Sequence, residues 1–124
     1  MSEQRCRILV VDDSADNLFL LQAVLESSGY KVELAEDGSS ALDKIFASPP
    51  DLVLLDMMMP QMNGFEVTQR LRQDDRLCSL PVVLITAYGE ELAQEVLTVG
   101  ANDWMGKPID FDELLHKVEV LCDR

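Results

Sequence analysis

A chain of 124 residues with 48% hydrophobic content is long enough to bury its own core and too apolar for a disordered segment. Its 23 acidic residues against 10 Lys plus Arg give a formal net charge of −13, which repels phosphate backbones and argues against direct nucleic-acid binding. No apolar run approaches the roughly eighteen residues of a membrane span, and no apolar signal core precedes Ile8, so residues 1–124 read as a single cytoplasmic domain.

The first element is the apolar run Ile8-Leu9-Val10-Val11, which ends in Asp12-Asp13. Four residues with no polar member cannot have a wet face, so the run predicts a strand covered on both sides. Ser14 then caps a helix that carries Leu18, Leu21 and Leu25 and stops at Gly29. From Tyr30 to Glu36, polar Lys31 and Glu33 alternate with Val32 and Leu34, which suits an edge strand. A second helix follows Gly38, turns Ala41, Leu42 and Ile45 inward, and ends before Pro49-Pro50. Leu52-Val53-Leu54-Leu55 is another covered strand and ends in Asp56. Asn63 or Gly64 opens a third helix, with Val67 and Leu71 inward. Val82-Val83-Leu84-Ile85 ends in Thr86. The fourth helix begins around Gly89, places Leu92, Val96 and Val99 on one face, and ends at Gly100. Asn102 to Met105 is a short, mixed strand that delivers Lys107. Asp110 and Glu113 form a D-x-x-E capping pattern for the fifth helix, along which Phe111, Leu114, Val118 and Leu121 recur at helical spacing.

Strands that start near positions 8, 32, 52, 82 and 102 leave room between them for a helix and two short loops each. The alternation predicts an α/β fold: a doubly wound five-stranded parallel sheet with five helices. Apolar strands belong at its centre and mixed ones at its edges. With right-handed crossovers the order is 2-1-3-4-5, the flavodoxin-like arrangement. The ligand crevice of such a sheet lies beyond the carboxyl ends of the strands, where the first and third diverge. Asp12, Asp13 and Asp56 end there, with Thr86 and Lys107 on the same edge.

Three ionised carboxylates within a few ångströms repel strongly. At an effective dielectric near 20, two unit charges about 4 Å apart cost roughly 4 kcal/mol. A hard divalent cation relieves this, and Mg²⁺ suits an all-oxygen set because it keeps several waters. The plainer alternative is that Asp12 or Asp13 only caps the first helix, which explains one of them but not both together with Asp56. Mg²⁺ and Lys107 balance the three aspartates. The neutral pocket can receive a phosphoryl group whose oxygens face metal, ammonium and the Thr86 hydroxyl. A carboxylate at a buried strand end is also a covalent acceptor of phosphate. Lys107 alone would be an ordinary surface lysine; its place beside Pro108 and opposite the acids gives it a role.

Taken together, Asp12-Asp13, Asp56, Pro60 and Gly64, Thr86-Ala87 and Gly106-Lys107-Pro108 resemble the response-regulator receiver domain of two-component signalling, over essentially the whole chain. The resemblance implies a signalling phosphoacceptor, not a turnover enzyme. Asp56 would take its phosphoryl group from a histidine kinase or phosphotransfer protein. Asp13 and Asp56 would bind Mg²⁺ directly, with the Met58 carbonyl as third protein ligand and Asp12 acting largely through water. Thr86 and Trp104 would form the switch, and the Lys107-Pro108 bond would be cis. A downstream target or output domain would meet the fourth helix, fifth strand and fifth helix, a face also suited to a homodimer. Two positions depart from the usual pattern. Trp104 is larger than the common Tyr or Phe, and simple edge-strand packing is its plainer role. Met58 is apolar beside the phosphoryl site.

Rival readings fare worse. An aspartate-nucleophile phosphatase needs a second acid two residues after the nucleophile, where this chain has Met58. A flavin carrier needs a neutral phosphate-cradling loop, where this chain has Asp12-Asp13-Ser14-Ala15-Asp16. A degenerate receiver used only for docking would not keep Asp13, Asp56, Thr86 and Lys107 together. His116, the one histidine, reads as a surface residue of the last helix. Cys6, Cys78 and Cys122 lack metal-ligand spacing and read as three reduced thiols.

Overall fold

The computed structural model describes residues 6–122, apart from the side chains of residues 89 and 90. Five strands, β1 (Arg7–Val11), β2 (Lys31–Ala35), β3 (Leu52–Asp56), β4 (Val82–Thr86) and β5 (Asp103–Gly106), form one parallel sheet in the order β2-β1-β3-β4-β5. Five helices alternate with them: α1 (Ala15–Ser27), α2 (Gly38–Ala47), α3 (Gly64–Arg72), α4 (Gly89–Val99) and α5 (Phe111–Cys122). The expected α/β architecture and strand order are thus what the chain adopts.

Burial follows the pattern of the runs. Every residue of β3 and β4 is buried, whereas the edge strand β2 alternates exposed Lys31 and Glu33 with half-buried Val32 and Leu34. Because successive strand residues face opposite ways, the sheet makes two cores. Leu9, Val11, Val53, Leu55, Val82 and Leu84 pack with Ala41, Ile45, Val67, Leu71 and Val96 of α2, α3 and α4. Ile8, Val10, Leu52, Leu54, Val83 and Ile85 pack with Leu18, Leu21 and Leu25 of α1 and Leu114 and Val118 of α5. Among the described residues no helix is long and apolar enough to cross a membrane.

The helix boundaries follow the capping signals closely. Ser14 caps α1 and accepts from the Asn17 N–H. Asp37, just before the expected start at Gly38, caps α2 by accepting from the Ser40 N–H at 2.7 Å. The full reciprocal capping box lies at α3, where Asn63 and Glu66 satisfy each other's backbone N–H groups. At α5 the Asp110 carboxylate accepts from Asp112 and Glu113. The last strand begins at Asp103, one residue after the expected Asn102, whose N–H donates to the Val82 carbonyl at 2.8 Å and whose side-chain Oδ1 accepts from the Val82 N–H at 2.9 Å.

The cysteines correct the sequence reading. Cys6 and Cys122 form a disulfide, with Cα atoms 5.9 Å apart, while Cys78 is free and exposed. The pairing had no signal in spacing, since 116 positions separate the two. It arises from topology: the start of β1 and the end of α5 meet at the amino edge of the sheet.

Candidate functional site

β1 and β3 are neighbours in register, with Val11 opposite Leu55, so the residues that follow them emerge side by side. Asp56 stands across from Ile85 and Thr86 across from Gly106, which brings the tips of β3, β4 and β5 to the same edge. Carboxylate oxygens of Asp12, Asp13 and Asp56 lie within 4.8 Å of one another. Asp12 and Asp56 are buried and Asp13 is exposed, so the cluster has two walls and an open side.

Asp56, 2% exposed, forms an ion pair with Lys107, Nζ to Oδ1 at 3.2 Å. The Met58 N–H donates to the same oxygen at 3.3 Å, while Oδ2 takes part in neither contact. Burial pushes the Asp56 carboxyl above the usual carboxylate range, and the Asp12 charge adds to that push; the Lys107 ammonium and the Met58 N–H pull the other way. Asp12 is held by the first turn of α1. Its Oδ1 accepts from the Ser14 N–H at 2.9 Å and its Oδ2 from the Asn17 amide at 3.3 Å. The capping alternative does not hold for Asp12: Ser14 is the cap of α1, and the two Asp12 bonds, from the Ser14 N–H and the Asn17 side chain, orient its carboxylate within the acidic cluster. Asn17 escaped the sequence reading, although Ser14 and Asn17 sit one turn apart beside an acid.

The loop after β3 is anchored from both sides. The Met57 N–H donates to the Ile85 carbonyl at 2.9 Å and the Gly64 N–H to the Met57 carbonyl at 3.0 Å. Gly64 has to be glycine here, since a Cβ would come within 3.0 Å of Met57 Cα and 3.1 Å of the Asp56 carbonyl oxygen. Met57 and Met59 are buried as loop packing, whereas the Met58 side chain is 54% exposed at the pocket mouth. Thr86 is fully buried and its hydroxyl oxygen accepts from the Tyr88 N–H at 3.0 Å. Trp104 is opposite Leu84 and half-buried against the core on the α2, α3 and α4 side. Two residues on from Leu84, Thr86 faces that same side. The Lys107-Pro108 bond is cis. His116 lies exposed on α5, away from these groups.

All the donors at the acidic cluster are oxygens, as a hard divalent cation requires, and their negative charge outweighs the single ammonium that touches them. The residues fit Mg²⁺.

Comparison with known proteins agrees with this geometry. The family profile of the response regulator receiver domain matches residues 8–119. The alkaline phosphatase synthesis transcriptional regulatory protein PhoP of Bacillus subtilis is 41% identical over 119 residues, 95% of this chain and 49% of that protein. Response regulator PleD of Caulobacter vibrioides is 45% identical over 116 residues, 93% of this chain and 26% of that protein. The chain thus spans about half or less of the length of these curated relatives. The chemotaxis response regulator CheY4 of Vibrio cholerae superposes with a TM-score of 0.89 at 32% identity, covering 95% of this chain and 99% of that one. With a profile match across both walls of the acidic pocket and the cis lysine-proline step, the chain belongs to the response regulator receiver domain family.

Proposed function

We propose that residues 1–124 act as one receiver domain in which Asp56 accepts a phosphoryl group from the phosphohistidine of a histidine kinase or phosphotransfer protein. The observation that carries this reading is the Asp56 carboxylate itself: buried, at a strand tip, ion-paired to Lys107 and beside two further acids. In the transfer an Asp56 oxygen forms a bond to phosphorus as the N–P bond of the donor imidazole breaks, and the departing nitrogen keeps the electron pair. Oδ2, which is engaged by neither Lys107 nor the Met58 N–H, is the oxygen we assign as nucleophile. Lys107 opposes the effect of burial on the Asp56 carboxylate and then follows the phosphoryl oxygens. Mg²⁺, held by Asp12, Asp13, Asp56 and the Met58 carbonyl, would add positive charge where the transferring oxygens develop negative charge. No group beyond these is needed to turn the site over, and none supplies a general acid for ester hydrolysis. The module stores a phosphoryl group; it does not process a substrate.

Switching rests on Thr86 and Trp104, which share one side of the sheet. When the Thr86 hydroxyl turns toward the phosphoryl group it leaves the Tyr88 N–H, and the packing of Trp104 follows. The outer face of α4, β5 and α5 then changes for a downstream protein or an output domain. Incubation with acetyl phosphate and Mg²⁺, read by intact mass, tests the core of the proposal. The wild-type protein should gain one phosphoryl group and Asp56→Asn none. No gain in the wild type, or equal gain in both, removes Asp56 as the acceptor.

A further inference from the structure

The two ends of α4 are held very differently. At the C-terminal end Gly100 turns the chain at φ 99°, and the N–H groups of Gly100 and Ala101 donate back to the carbonyls of Leu97 and Val96 at 3.1 and 3.2 Å. Arg72, from the last turn of α3, lies beneath that turn. Its Nε donates to the Gly100 carbonyl at 2.9 Å, Nη1 to the Leu77 carbonyl at 3.3 Å and Nη2 to Asn102 Oδ1 at 3.1 Å. Asn102 Oδ1 also accepts from the Val82 N–H. One planar guanidinium therefore joins α3, the loop after it, the end of α4 and the entries to β4 and β5. A Cβ on Gly100 would meet Arg72 Cγ at 3.1 Å, so the arginine stem fills the space that glycine leaves. Val96, the buried residue among the described α4 side chains, is at this end too.

Among the described residues, the N-terminal end shows no such fastening. Tyr88 occupies the capping position with no side-chain hydrogen bond to the helix, and its ring is exposed. Its N–H is held by the Thr86 hydroxyl. Leu92, the first described apolar residue of the helix, is only half-buried.

We propose that Arg72 is a positioning residue that pins the C-terminal end of α4, so that release of the Tyr88 N–H by Thr86 swings the N-terminal end about a pivot at Gly100. This rests on the phosphoacceptor reading of Asp56. A rigid fork that bonds in three directions fixes a helix end in a way a lysine cannot. The three bonds go to carbonyl and amide oxygens, and burial lowers the Arg72 pKa, so the charge is held in place at a desolvation cost. The receiver's changing surface is then centred on Tyr88, while the exposed Leu97 near the pivot presents the same contact in both states.

Hydrogen exchange read by mass spectrometry, with beryllofluoride and Mg²⁺ as the phosphoryl mimic, tests this on the full chain. In the wild type the mimic should alter exchange in residues 87–93 and leave the amides of Gly100, Ala101 and Asn102 unchanged. In Arg72→Met those three amides should exchange about tenfold faster, the change expected when a charge-assisted hydrogen bond is lost, and should now respond to the mimic. Arg72→Lys, which keeps the charge and loses the fork, serves if the methionine variant does not fold; it should show the same spread to a smaller extent. A wild-type response that is uniform along α4, or an unaltered gradient in both variants, overturns the pivot. Mass gain from acetyl phosphate is measured alongside. If Asp56 is phosphorylated and the gradient is missing, only the pivot fails; if Asp56 is not phosphorylated, both fail.

Discussion

The two edges of this sheet are opposites. At the amino edge, Arg7 alone makes three contacts: its N–H donates to Asp51 at 2.8 Å, its Nη1 donates to the Pro49 carbonyl at 3.2 Å, and its Nη2 lies 3.5 Å from Glu33. The Cys6–Cys122 disulfide closes the same end. At the carboxyl edge three carboxylates crowd within 4.8 Å, and one ammonium reaches Asp56. One edge is satisfied from within the chain; the other keeps an excess of like charge. If stability and function are separated along the strand direction, each edge can be perturbed without disturbing the other.

The largest effect that would break this contrast is loss of the amino-edge staple. For a loop of this length a chain-entropy account gives the disulfide about 4–5 kcal/mol, or a fall in melting temperature of about 10 °C or more on reduction. Calorimetry with and without dithiothreitol checks the shift, and acetyl phosphate uptake should survive at temperatures where the reduced protein is folded. Loss of uptake in a folded, reduced protein would show that the edges are not independent.

Next in size is the response to cation. Mg²⁺ at about 100 times its dissociation constant should stabilise the protein by about 2.7 kcal/mol, and Asp13→Asn should remove most of that gain while leaving the metal-free melting temperature no lower. Identical Mg²⁺ shifts in the two proteins would place the ion away from the acidic edge.

The smallest effect concerns Asp56 without metal. Burial raises its folded-state pKa above the unfolded value of 3.8, so the native state binds the proton more tightly than the unfolded chain does. The resulting penalty is fully present above the folded pKa and disappears as pH falls to the unfolded one. Asp56→Asn should therefore be more stable than wild type at neutral pH, with the gap narrowing as pH is lowered toward 4. A gap that widens on acidification would mean that Lys107 outweighs burial at this site. Urea melts at several pH values decide the sign.

Much of this arrangement is legible without coordinates because its signals are local or periodic. Four-residue apolar runs identify β1, β3 and β4, and the alternation at Lys31 to Leu34 marks β2 as an edge. Strand order then follows from handedness, and with it the meeting of Asp12, Asp13, Asp56 and Lys107. What stayed hidden depends on pairs remote in sequence that carry no pattern of their own. Cys6 and Cys122 are read as reduced thiols until the ends of β1 and α5 are seen together. Arg72 looks like a basic residue in the last turn of α3, and Asn102 like the first residue of a strand, until the guanidinium is seen bonded to both the Gly100 carbonyl and Asn102 Oδ1. Asp12 shows a subtler limit: in sequence it looks like a candidate cap for α1, yet Ser14 takes that place and the Asp12 oxygens are oriented by the Ser14 N–H and the Asn17 side chain within the cluster.

The bond between Cys6 and Cys122 also closes residues 6–122 into a covalent circle. A protease that nicks any surface loop between them opens the circle but releases no fragment, so a cleaved molecule still migrates as one species until a reductant is added.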